Sequence, residues 1–76
     1  MNKEKRSRLS NANDLIKEAV SVISSVRDDE EDSFNNLSDG LQNTQRGMDM
    51  QDAVEQMDGI IDALEEVSSD LDVLSL

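Results

Sequence analysis

The sequence predicts an all-α protein: two long amphipathic helices folded back as an antiparallel, coiled-coil-like hairpin, with two hairpins joining in a dimeric four-helix bundle. Three observations carry that prediction. Apolar residues recur at alternating steps of three and four in two long segments, the pattern fails once between them across a cluster of turn formers, and charge is sorted along the chain. The chain has 76 residues and reads as one helical unit, with 18 acidic and 7 basic side chains and a net charge of −11. A unit of this size buries only about 60% of the surface its unfolded chain exposes, so it needs efficient helical packing or a partner.

The first helix is expected over residues 5–33. From Leu9 the 3,4 walk passes Ala12, Ile16, Ala19, Ile23 and Val26, all apolar. Leu15, Val20 and Val22 flank this seam and widen it beyond a strict two-position stripe. After Val26 the walk lands on Glu30 and Ser33, and Asn35, Asn36, Ser38, Asp39 and Gly40 supply turn residues. The chain therefore reverses at about 35–44, a connection long enough for a helical turn of its own. Asn43 and Thr44 offer the second helix its N-cap.

The second helix is expected over residues 45–73. Its walk runs Met50, Ala53, Met57, Ile60, Leu64, Val67, Leu71 and Leu74, with Val54 and Ile61 beside it. Gly47 and Gly59 each weaken a helix by up to about 1 kcal/mol relative to alanine, yet the seam passes Gly59 unbroken, so the helix should continue.

Charge supports the antiparallel arrangement. Residues 1–27 hold six cations and three acids, whereas residues 28–76 hold Arg46 against 15 acids. An antiparallel hairpin sets the basic start of the first helix beside Glu65, Glu66, Asp70 and Asp72, acids at the end of a helix where the dipole disfavours them. Each apolar stripe is wider than one partner helix covers. A symmetric homodimer through Leu9, Ile16, Ile23, Val26, Met50, Met57, Ile60, Leu64, Val67 and Leu71 is the expected solution, and a third short helix folding back from the turn is the alternative.

Composition removes most site chemistry. Without His or Cys there is no imidazole base, triad, thiolate nucleophile or thiolate metal site. Carboxylates alone need a cleft that shifts their pKa values, and a two-helix unit offers none, so no enzyme activity and no cofactor are expected. Asp28, Asp29, Glu30, Glu31 and Asp32 form a run of hard oxygen ligands. As a calcium loop the run fails, because Ser33 stands where the turn requires glycine and Asp39 where a bidentate glutamate belongs, so no metal site is expected.

The acidic run, together with Asp52, Glu55, Asp58, Asp62 and Glu65 on the outer face of the second helix, is the candidate partner-binding surface. Its bland role is solubility. Its functional role is to occupy a basic surface of a nucleic-acid-handling protein, in the manner of a nucleic-acid mimic. Direct nucleic-acid binding by Lys3, Lys5, Arg6 and Arg8 is not expected from a chain of this net charge with no aromatic suited to base stacking at that end. Nothing in the sequence is long and apolar enough to span a membrane, and a soluble protein is expected.

The order of these parts resembles a group of small acidic helical proteins encoded in phages and prophages of Gram-positive bacteria. The residues that carry the resemblance are the acidic run leading into Phe34-Asn35-Asn36-Leu37-Ser38-Asp39-Gly40-Leu41-Gln42, and the following Gln45-Arg46-Gly47. The resemblance implies phage origin and the cytoplasm of a bacterial host; it carries no activity. The expectation is a non-enzymatic acidic interaction module of mimic or anti-defence inhibitor type. The alternative is a structural or assembly component that binds through its apolar face.

Overall fold

A computed structural model describes residues 1–76 as three helices, α1 (Lys3–Asn35), α2 (Asp39–Gln42) and α3 (Gln45–Leu74). α1 begins at Asn2, whose side-chain oxygen accepts from the Lys5 amide at 2.9 Å. Its end is closed from the connection: the Gln42 amide nitrogen donates to the carbonyls of Phe34 and Leu37, both at 3.3 Å. The Phe34 carbonyl also accepts from the Leu37 amide at 3.0 Å, so the Gln42 side chain ties the connection back to the end of α1. Thr44 caps α3, its hydroxyl donating to the Leu41 carbonyl at 2.5 Å and accepting from the Gly47 amide at 3.5 Å. The expected helix, reversal and helix are present, and the connection does contain a helical turn, α2.

The two long helices pack antiparallel. Asn13 reaches Asp72 and Arg27 reaches Asp58; fourteen residues forward on α1 correspond to fourteen back on α3. The molecule measures 59 × 14 × 13 Å with a radius of gyration of 17.2 Å, against about 11 Å for a compact domain of this length. It is a rod two helices wide.

The seam between the helices differs from the one the apolar walk predicts. The buried and half-buried residues of α1 centre on Arg6, Leu9, Asn13, Ile16, Val20, Ile23, Arg27, Glu30 and Phe34, and those of α3 on Gly47, Met50, Val54, Met57, Ile61, Leu64, Ser68 and Leu71; Ala12, Ser24, Glu31, Ala53 and Asp58 are half-buried beside them. Both keep the 3,4 spacing. Calling the seam rows a and d places Leu9, Ile16, Ile23, Met50, Met57, Leu64 and Leu71 on row d. Asn13, Val20, Arg27, Phe34, Gly47, Val54, Ile61 and Ser68 fall on row a. The apolar walk had instead joined row d to the neighbouring row g. Thus Val26, Ile60 and Val67, expected in the seam, are 45–52% exposed, and Val20, Val54 and Ile61 replace them inside.

The physical reason is the width of each stripe. Rows c, g, d and a are adjacent around a helix, and apolar residues occupy all four, so periodicity alone admits two seams one row apart. Polar partners decide between them: Asn13 with Ser68 and Asp72, and Arg27 with Asp58, are satisfied only in the a/d seam. Gly47 gains a role here as well. A Cβ at this position would overlap the Gln42 carbonyl, so the close approach of α3 to the preceding turn requires glycine.

Candidate interaction surfaces

The a/d register divides the rest of the hairpin into two unlike flanks. In an antiparallel pair, rows of the same letter meet across the seam, so both e rows lie on one side and both g rows on the other. The polar links between helices agree. Lys17 and Asp72, both on row e, approach to 3.8 Å, and Arg27 turns to the same side to donate to Asp58, also on row e, at 2.8 Å.

On that side Arg27 is the electrostatic hub. Its Nε binds Asp58, its Nη1 donates to Asp28 at 3.2 Å, and it also pairs with Glu31 one turn on. The hydrogen bond to Asp58, followed by that to Asp28, holds the guanidinium above its usual pKa, so it stays charged at any pH the fold will meet. The expected neutralisation of the α3 terminus is found at Lys17 rather than at the first residues; Arg8 instead pairs with Glu4 along its own helix.

A second polar group sits inside the seam. Asn13, 3% exposed, accepts from the Ser68 hydroxyl at 2.6 Å and donates to Asp72 at 2.7 Å. Sequence reasoning passed over both residues because an asparagine and a serine interrupt an apolar pattern. Their 3,4 spacing with Ile16, Val20, Leu64 and Leu71 was the available signal.

The predicted acidic residues do not form one face. Residues 28 to 32 continue α1, and consecutive helical side chains radiate in different directions. Glu30 lies on the seam, Glu31 and Arg27 pair, and Asp29 points toward the g side, leaving Asp28 on the e side and Asp32 on the outer row f. On α3 the register places Asp58 and Glu65 on row e, Glu55 and Asp62 on row b, and Asp52 on row f. Asp58 and Glu65 border the seam on its e side, Glu55 and Asp62 stand further out on that side, and Asp52 stands opposite the seam. Asp58 is committed to Arg27; Asp52, Glu55, Asp62 and Glu65, with Glu66, are exposed. No group of acidic side chains converges in a metal-binding arrangement.

The other flank, made of rows c and g, is apolar. It presents Leu15, Val22, Val26, Ile60, Val67 and Leu74, each 45–67% exposed, with Ala12, Ala19, Ala53 and Ala63 between them. The concave sites are open surface depressions; the one nearest the turn is lined by Arg27, Glu31, Phe34, Gln51, Val54 and Glu55. No helix is long and apolar enough to cross a membrane. The fold and surfaces define a class: an acidic antiparallel helical hairpin with one charged and one apolar flank. Comparison with known proteins found no matching family model, curated protein or solved structure.

Proposed function

We propose that this chain is a non-enzymatic interaction module whose acidic flank binds a basic surface of a nucleic-acid-handling protein in a bacterial host. A mimic that competes with nucleic acid is the specific form of the proposal, and the resemblance to phage-encoded acidic proteins supports an anti-defence setting. The observation that carries it is the sorting of charge. On rows e, b and f, α3 holds Asp52, Glu55, Asp58, Asp62, Glu65, Glu66 and Asp72 along about 30 Å of helix axis. Asp14, Glu18, Asp28, Glu31 and Asp32 occupy the same rows of α1.

The result is one track on α3 with a charge every 5 Å or so, and a sparser one on α1 that is interrupted for about 15 Å between Glu18 and Asp28. One strand of a duplex presents a phosphate about every 3.4 Å. The flank is sparser than a duplex, and its affinity would come from lysines and arginines converging on it, so it would be strongly screened by salt.

The test is capture from a Gram-positive bacterial lysate at low and moderate salt, followed by elution with duplex DNA. The competing variant combines Asp52→Lys, Glu55→Lys, Asp62→Lys and Glu65→Lys. Asp58 is kept, because it holds Arg27 and its loss would disturb the hairpin itself. The proposal expects a protein that is retained at low salt, released by moderate salt and by DNA, and not captured by the variant. Capture insensitive to salt, to DNA and to charge reversal would favour the second reading, an assembly component binding through its apolar side, for which the exposed c and g rows are the supporting observation.

A further inference from the structure

We propose that the c/g flank is covered by a second copy of this chain, and that the functional unit is a dimer of hairpins closed on that flank. Four observations converge on this occupant. The first is the absence of a dry core: no apolar side chain of the isolated hairpin is fully buried. A helix of a globular bundle buries rows a and d together with e or g. Here e is polar or charged on both helices and g is apolar along its middle, so the third core row is g, and only a partner can cover it.

The second observation is where the apolar rows are centred. Row d of both helices is apolar apart from Glu30, and row g carries only Ala, Val, Ile and Leu along its middle. Row a, on the opposite side of d, holds Arg6, Asn13, Arg27, Gly47 and Ser68. The apolar stripe is thus centred between d and g, displaced from the seam toward the open flank.

The third is area. A compact 8.4 kDa monomer exposes about 4,600 Å², whereas the hairpin exposes 5470 Å². The rod thus leaves roughly 850 Å² more surface in water than a compact fold of its mass, and covering about 800 Å² per partner, as a stable interface of standard size does, would remove that excess.

The fourth is charge, and it selects a second copy over another protein. Rows c and g of the two helices carry Lys5, Arg8 and Arg46 against Asp29, Asp49 and Asp70. Their charges cancel on a chain of −11. The remaining rows hold 14 of the 18 acids and α2 holds Asp39, so a basic partner is drawn to the other flank and an acidic one is repelled. Two copies, by contrast, can meet on the neutral flank with opposite charges available at both ends and like charges kept apart. In such a dimer the acidic flanks point to opposite sides, giving two separate acidic faces.

The experiment is sedimentation velocity on the parent, on Ile60→Asp/Val67→Asp, and on Met48→Asp/Val73→Asp. Met48 and Val73 are also largely exposed but lie on rows b and f, away from the flank. The parent and the b/f variant should sediment at twice 8.4 kDa. The flank variant should dissociate with a dissociation constant raised on the order of 100-fold or more, because each aspartate would be buried without a partner. Circular dichroism on a dilution series covers the case in which the flank variant loses helix. There, helix content and melting temperature of the parent must fall on dilution, as linkage to a dimer requires. A monomeric parent, a trimer or larger assembly, or a flank variant that remains dimeric would each overturn the proposal.

Discussion

Asn13 offers the sharpest test of the a/d register. Asn13→Ala removes an acceptor for the buried Ser68 hydroxyl, 2.6 Å away, and a donor to Asp72, 2.7 Å away. The first bond joins two groups that are 3% and 8% exposed, and losing it costs about 1 kcal/mol. The second is to a carboxylate, but the Asp72 side chain is 60% exposed and regains water, so about 0.5–1 kcal/mol is a fair discount. Alanine returns about 0.5 kcal/mol through helix propensity. The net expectation is a loss of about 1–1.5 kcal/mol, which for a domain of this size lowers the melting temperature by roughly 5–10 °C. Ser68→Ala should cost about 1 kcal/mol, and the double variant little more than Asn13→Ala alone, giving a coupling of about 1 kcal/mol. Urea unfolding followed by circular dichroism at one fixed protein concentration measures all three. If Asn13→Ala stays within about 0.3 kcal/mol of the parent, or the two substitutions simply add, the residues do not meet and the register is wrong.

Two further substitutions address neighbouring features. Ile61→Ala should cost about 2 kcal/mol, whereas Ile60→Ala, measured at high dilution, should cost less than about 0.5 kcal/mol, since Ile61 lies in the seam and Ile60 is 48% exposed; equal losses in urea unfolding would contradict the assigned seam. Gly47→Ala would ordinarily strengthen a helix, but here its methyl group meets the Gln42 carbonyl, so urea unfolding should show a loss of about 1–3 kcal/mol, and a gain would show that the connection approaches α3 less closely.

Most of the fold was legible because its determinants are local. The 3,4 period marks both helices, the residues from Asn35 to Gly40 mark the reversal, and Thr44 caps α3 as its residue type suggests. The register was not local. Ala12, Ala19 and Val26 continue the Leu9 walk without a break, while the row that actually turns inward contains Asn13 and Arg27. Each of those reads as an error in a seam until its partner is known, and the partners, Ser68, Asp72 and Asp58, lie 31 to 59 residues away. The acidic surface was legible in composition but misplaced in direction, because it inherits the register. Moving the seam from d/g to a/d brings Asp58, Glu65 and Asp72 beside it, takes Glu55 and Asp62 off the back of the helix, and puts Asp52 and Glu66 there instead.

The same shift explains why the less apolar row is the one used inside the chain. A seam between only two helices stays open along both sides, so a long polar side chain can enter it and still reach solvent or a partner. The Arg27 side chain keeps 27% of its surface exposed while binding Asp58. A four-helix core closes one of those sides and would strand such a group there. Arg27 avoids that outcome by leaning toward row e, the side that stays open when the g rows are covered. Asn13 does the same through Asp72. Arg27 and Asn13 therefore serve two requirements together: they fix the register of the hairpin, and they turn away from the flank where the apolar residues are continuous. If a second copy occupies that flank, it should tighten the packing of row d and leave the Arg27–Asp58 and Asn13–Asp72 contacts in place.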